Sequence, residues 1–296
     1  MNRNMRVLLI GASGFIGQSI LNHLPEGVDL TGTYHKNEFS SKGVTIRQLD
    51  YLDPTLNWMD LVESYDNIVI AARANATDKV TRDAVSQRTN TAFTRLFEAL
   101  ESCQKRPFLV AINGSLSYGE KGEDLVGPAS EINPTGFARS YAIGEAPFRK
   151  GLDEGRHMAI VRAPWVIGSD SWFPILYLEG STVPLIGDGK QWMSFVDVNT
   201  LSKCIWSILK SKQSGVIHPP LTYRCRQGEF ATLVGQTWKR KIKRYGFFRL
   251  RSMEPQLRES ISVSIRLDDG LGNNAESEDS KVKMITLLQR IYSDLS

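Results

Sequence analysis

Ile10-Gly11-Ala12-Ser13-Gly14-Phe15-Ile16-Gly17 is the stretch that decides how this chain folds. It follows the apolar run Val7 to Ile10, which has the length of a buried strand. It opens an amphipathic stretch from Ile16 to Leu24 that Pro25 ends. In that strand-to-helix context the glycine triplet predicts a tight turn at Gly11 and bare backbone at Gly14, where a pyrophosphate can approach. Gly17 then gives close helix–strand contact. The first N–H groups of the new helix, with its dipole, face the phosphates, and Ser13, Phe15 and Ile16 ride on the same loop. This is a dinucleotide-binding loop rather than an ordinary turn.

Outward from the loop, strand-sized and helix-sized segments alternate. Val28–Tyr34 and Val44–Leu49 read as strands, and Asn67–Ala72 is a continuous apolar run of the kind buried on both faces of a parallel sheet. Thr89–Cys103 reads as a helix with Ala92, Leu96, Ala99 and Leu100 on its apolar side, followed by strands at Phe108–Ile112 and Met158–Arg162. The fold class is therefore α/β, a doubly wound parallel (Rossmann) sheet with a smaller C-terminal substrate lobe. The dinucleotide-binding domain is expected over 1–165, with 193–210 returning to it, and the smaller lobe over 166–192 and 211–296. Asp268–Ser280 reads as a mobile loop. Val282–Leu295 reads as a helix that packs on the small lobe or on another subunit.

Composition bounds the function. The net charge of +4 over 296 residues is too mild to argue for a nucleic-acid partner. No apolar run reaches membrane-spanning length, and Met1–Arg6 is too short and polar for a signal peptide, so no membrane partner is expected. Cys103, Cys204 and Cys225 are scattered, without metal spacing, and suit a reducing cytoplasm with no bound metal. The basic cluster Trp238–Tyr245 reads as a solvated helix face, although a diphosphate, a nucleic acid or an acidic partner would also suit it. His23 and His157 read as surface or helix-end residues.

The residues after the second strand bear on cofactor choice. A carboxylate there accepts the ribose 2′-OH of NAD, whereas a cation accommodates the 2′-phosphate of NADP. This chain offers His35 and Lys36 and no acid before Glu38, which favours NADP, with NAD the alternative. Arg73, just past the fourth strand, suits either a cofactor phosphate or a loop salt bridge.

From Arg6 to about Ile205 these segments resemble, in collinear order, the extended short-chain dehydrogenase/reductase superfamily, especially its nucleotide-sugar epimerases, dehydratases and reductases. Gly11–Gly17 resembles the family's cofactor loop, and Asp50, beside Tyr51, matches the acid that contacts adenine. Ile70-Ala71-Ala72 resembles the segment beneath the cofactor, and Asn90 the family's helix asparagine. Ser117-Tyr118-Gly119 with Glu131 and Pro134, Arg162–Gly168, Pro184–Lys190 and Phe195–Val198 complete the series. The resemblance implies NAD(P) binding, a nucleotide-sugar or related substrate, and a homodimer.

The family's chemistry rests on a Tyr-x-x-x-Lys pair and an upstream Ser or Thr. None of this chain's tyrosines has a lysine four residues later. Aligning Pro134–Glu145 on the family's pattern through Pro134, Ser140, Gly144 and Glu145 puts Phe137 at the tyrosine and Tyr141 at the lysine. The other register keeps Tyr141 as the tyrosine and puts Glu145 at the lysine. Counting back from Tyr118-Gly119, the upstream hydroxyl falls on Gly114, with Ser115 adjacent. Proton transfer then falls to Tyr141, Ser115, Ser117 or Tyr118. The expectation is an atypical enzyme that retains NAD(P), and the alternative is a non-catalytic dinucleotide-binding partner or redox sensor of the same fold.

Overall fold

The computed structural model describes residues 4–73, 76, 78–171, 176–177 and 181–295. Part of the glycine-, proline- and aromatic-rich stretch of the expected small lobe, residues 172–175 and 178–180, lies outside the described residues.

Alternation of short apolar runs with amphipathic ones produces one large sheet. Its strands include β1 (Met5–Ile10), β2 (Val28–Tyr34), β3 (Thr45–Gln48), β4 (Asn67–Ile70) and β5 (Phe108–Gly114). The order is Gly215–Ile217, Met158–Ala163, β5, β4, β1, β2, β3, seven strands in all. Every pairing of this sheet with a defined register is parallel. Val7, Leu8, Leu9, Ile68 and Val69 are fully buried, because a parallel sheet is covered on both faces. The chain leaves β1 toward β2 on one side and returns to β4 on the other, so a crevice opens at the carboxyl ends of β1 and β4.

Helices α1 (Phe15–Asn22), α2 (Trp58–Ser64), α3 (Lys79–Ser102) and α4 (Ala138–Asp153) accompany these strands. The sequence places α3 from Thr89, ten residues late. Its first turns are polar and carry no apolar period, and Asp78 starts the helix by accepting a hydrogen bond from the Thr81 amide at 2.9 Å. Leu96, Phe97, Leu100 and Phe148 of α3 and α4 pack with Leu109, Met158 and Ile160 of the sheet in one core.

At the opposite ends of the strands Asp66 ties two groups together. Its carboxylate accepts from the Arg6 amide at 2.9 Å and lies 2.9 Å from the Lys105 ammonium. Partial burial opposes the charge, but the Arg6 amide and Lys105 outweigh it and hold the carboxyl down at about 2. The stability this contributes is complete above the ordinary carboxylate value and is lost as pH falls toward 2. With a third of the side chain exposed, Asp66→Asn should cost about 1 kcal/mol near neutrality. Urea midpoints should converge with those of the native chain as pH approaches 2; a gap that persists there would refute the assignment.

By its internal contacts the chain divides into two units. The first comprises Met1–Asn113, Ser140–Val161 and Ser202–Ile217, and the second Gly114–Arg139, Arg162–Leu201 and His218–Ser296. In the second, Tyr223–Arg226 pairs antiparallel with Trp192–Asp197, which pairs parallel with Trp165–Ile167. The C-terminal helix Glu278–Leu295 buries Met284, Leu287, Leu288 and Ile291 against Phe230 and Trp238 of this same unit, and Trp238 Nε1 donates to the Leu288 carbonyl at 2.9 Å.

Two expectations about the second unit change. Lys241–Tyr245 is a strand paired in parallel with Thr182–Ile186, not a helix face. Four of its five residues are exposed, so no alternation of apolar and polar residues marks the strand in the sequence. Asp268–Ser280 is anchored: Glu276 lies 2.7 Å from the fully buried Arg224 and 2.8 Å from Arg266, and Ala275 is buried. A polar segment reads as solvated until its charge is seen to pair inside the protein.

Candidate functional site

The Gly11–Gly17 loop lies at the crevice beside β4. Gly11 has φ of +90°, and a Cβ there would stand 2.6 Å from the Ala72 amide, so the turn and the close approach both require glycine. A Cβ on Gly17 would lie 2.2 Å from the Gly11 carbonyl oxygen, which is why α1 can start so near β1. Gly14 differs. A Cβ there meets nothing nearer than the Gly11 carbonyl at 3.4 Å, and its extended φ of −84° suits any residue. Among the described residues nothing demands glycine at this exposed position, and its bareness leaves backbone open to an approaching group. No side chain caps the amino end of α1, leaving helix N–H groups for an anion. Ser13, Phe15 and Ile16 are half-buried on the loop.

The other cofactor-side residues line the same strand ends. The Gly11 amide donates to Thr33 Oγ1 at 3.2 Å near the end of β2. Just past it, His35 Nε2 lies 3.6 Å from Asp50 Oδ2, and Lys36 is exposed with no acidic partner among the described residues. Tyr51 is buried, with its ring stacked on Phe93 at 5.3 Å. Ala71 follows β4, its amide bonded to the Ile10 carbonyl at 2.9 Å.

Arg73 and Tyr141 come together. The Arg73 guanidinium sits over the Tyr141 ring, 4.5 Å from its centre. Both line a small pocket of about 50 Å³ with Tyr51, Ala72, Ser86 and Asn113. Of the two roles open to Arg73 at the sequence level, neither describes this contact, which brings a fixed cation to the one tyrosine of α4.

Asn90 also has a legible job. Pro147 lies inside α4 and has no N–H for the Ile143 carbonyl four residues earlier. Asn90 Nδ2, from α3, donates to that carbonyl at 2.8 Å. A proline inside a predicted helix signals such an orphaned acceptor, so this partner could have been sought from sequence.

The remaining candidates belong to the second unit. Ser115–Tyr118 forms a short 3₁₀ turn after Gly114, and Ser115 and Ser117 are both buried. Ser117 Oγ accepts from Arg162 Nη1 at 3.1 Å. Tyr118 is fully buried, and its hydroxyl lies 2.7 Å from His218 Nε2. Desolvation lowers the His218 pKa and keeps the ring neutral; its other nitrogen meets the Asp268 carbonyl at 2.5 Å. With Nδ1 donating to that carbonyl, Nε2 accepts from the Tyr118 hydroxyl. His218 carried no sequence signal, because its partners are 100 and 50 residues away. The Phe137 amide donates to Ser260 Oγ at 3.1 Å.

A crevice at a strand-order reversal, a glycine loop and an uncapped helix end together suit a dinucleotide. A model of the NAD dependent epimerase/dehydratase family matches residues 7–219. The chain belongs to that family.

Solved structures agree with the family's fold. UDP-N-acetylglucosamine 4-epimerase from Methanobrevibacter ruminantium M1, in complex with UDP-N-acetylmuramic acid, is 16% identical with a TM-score of 0.75, over 98% of each chain. Human epimerase family protein SDR39U1 (isoform 2), with NADPH, is 18% identical with a TM-score of 0.73, over 98% of this chain and 100% of that one. UDP-glucuronic acid 4-epimerase from Bacillus cereus, in complex with NAD, is 17% identical with a TM-score of 0.74, over 98% and 96%. No curated protein matched the sequence. Among the described residues no helix is long and apolar enough to cross a membrane, and no three His, Cys, Asp or Glu residues group as a metal site.

Proposed function

We propose that this member of the family binds NADP, ahead of NAD, on the Gly11–Gly17 loop. In our reading it acts on a nucleotide sugar or related small metabolite using Arg73 and Tyr141 in place of the usual tyrosine–lysine pair. The observation that carries this reading is the Arg73 guanidinium over the Tyr141 ring, 4.5 Å from its centre. The family's chemistry needs a phenol that moves a proton and a fixed cation beside it. This chain lacks the usual spacing but supplies both groups from two other positions.

Gly14 and the amino end of α1 would hold the pyrophosphate, Asp50 and Tyr51 the adenosine end, and Lys36 with His35 the 2′-phosphate. When bound, the nicotinamide supplies hydride transfer. Tyr141 gives or takes the proton of a substrate hydroxyl, and Arg73 orients its ring. Ser115, Ser117 and Tyr118 are the other candidate hydroxyls, but all are buried, Ser117 accepts from Arg162 and Tyr118 bonds His218, so half-buried Tyr141 is favoured. Substrate selection is assigned to the second unit, which keeps the Pro184–Lys190 and Phe195–Val198 segments. Phe137 at the family's tyrosine favours a second reading, a dinucleotide-binding partner or redox sensor without turnover.

Mass spectrometry of the co-purified ligand, followed by titration with NADPH and NADH, tests the first step. NADPH should bind more tightly, and Lys36→Glu should reverse the preference. Turnover of UDP-sugars should then fall about 100-fold or more in Tyr141→Phe, with dinucleotide affinity little changed. Binding without turnover in the native chain would select the second reading. No dinucleotide binding would end both.

A further inference from the structure

We infer that residues 239–251 of the second unit form a docking surface for an anionic membrane, with Phe247 and Phe248 entering the headgroup boundary. From Trp238 to Met253 the chain has seven cations, Lys239, Arg240, Lys241, Lys243, Arg244, Arg249 and Arg251, and no carboxylate. The whole chain has a net charge of only +4, so the rest of it is net negative and positive potential is concentrated here. No acidic side chain pairs with Lys239, Lys241, Lys243, Arg249 or Arg251 among the described residues.

The same segment carries exposed apolar side chains. Phe248 is 86% exposed, Phe247 67% and Ile242 43%, and the two phenylalanines form the turn after Gly246. Large apolar groups left this open mark a contact surface. Cations are held beside the rings: Arg249 stacks 4.0 Å from the Tyr245 ring centre and bonds its hydroxyl at 3.1 Å, and Arg251 lies 5.9 Å from the Phe247 ring centre. Guanidinium groups held beside aromatic rings suit lipid phosphates above an acyl boundary, where aromatic rings sit shallowly and cations meet headgroups.

Two observations turn the choice away from other occupants. Phe247 and Phe248 meet edge to face at 77°, so they offer no parallel platform on which successive bases could stack. Lys241–Tyr245 pairs on one side with Thr182–Ile186 in a two-stranded sheet, and its exposed lysines oppose strand addition by a second copy. A surface contact of this kind needs no membrane-spanning helix, and it is independent of the dinucleotide reading.

Vesicle flotation of the full chain tests the inference without measuring turnover. It should float with phosphatidylcholine vesicles containing phosphatidylglycerol, release at high salt, and ignore phosphatidylcholine alone. Phe247→Ser with Phe248→Ser should weaken binding about tenfold with an unchanged melting temperature, since both rings are exposed. Lys241→Glu with Lys243→Glu should do the same through charge. Absence of flotation would overturn the inference. So would phenylalanine variants that float like the native chain, tighter binding to single-stranded RNA, or a dimer in sedimentation that Phe248→Ser dissociates.

Discussion

Gly14→Ala leaves the fold intact and lowers dinucleotide affinity about tenfold or more, equivalent to about 1.4 kcal/mol. Its φ of −84° is open to alanine, and the added Cβ makes only an ordinary contact, at 3.4 Å. The new methyl instead stands where the pyrophosphate must meet bare backbone. Gly17→Ala behaves differently. Its Cβ would lie 2.2 Å from the Gly11 carbonyl oxygen and 2.7 Å from Ala12 Cα, and both obstacles are backbone. Helix α1 must shift, at a cost of about 1–3 kcal/mol, and binding is lost because the anion-facing N–H groups move with it. Thermal melts and NADPH titration separate the pair: unchanged melting with weakened binding for Gly14→Ala, lowered melting with abolished binding for Gly17→Ala. Native affinity in Gly14→Ala would show that the loop is only a turn.

Arg224→Met should destabilise the second unit by about 1–3 kcal/mol, the cost of leaving buried backbone acceptors without their donor. Arg224 is fully buried. Its Nε lies 2.7 Å from Glu276 Oε1, and Nη1 donates to the Leu267 carbonyl at 2.6 Å. Methionine fills the space of the stem but takes the donor from the Leu267 and Gly272 carbonyls. Glu276 keeps Arg266 at 2.8 Å, so the turn at Gly272–Glu276 loosens first. Hydrogen exchange should then quicken there and in the C-terminal helix that follows it. A variant that melts like the native chain, with unchanged protection at Met284–Ile291, would contradict the assignment.

How much of this was readable beforehand differs by element. β1, β2 and β4 read clearly because strands buried on both faces are continuous apolar runs, and the glycine loop because its context is local. The start of α3 did not, since polar first turns carry no period and only the Asp78 cap marks them. Lys241–Tyr245 reads as a helix face because a basic, exposed strand carries no apolar alternation to mark it. Of the candidate site, the tight turn at Gly11 and the close helix–strand approach at Gly17 were legible from local context. The Arg73–Tyr141 contact was not, because its members are 68 positions apart and meet only when the crevice forms.

The sequence by itself determined the doubly wound sheet, the dinucleotide loop and the absence of a Tyr-x-x-x-Lys pair. These depend on residues within a few positions of one another, where steric and hydrophobic periodicity act directly. Tertiary structure alone decided that Arg73 covers Tyr141, that Asn90 serves the carbonyl orphaned by Pro147, and that Arg224 holds Glu276. Each joins groups from separate elements, and hydrogen bonds and ion pairs act over only a few ångströms, so chain packing chooses the partners.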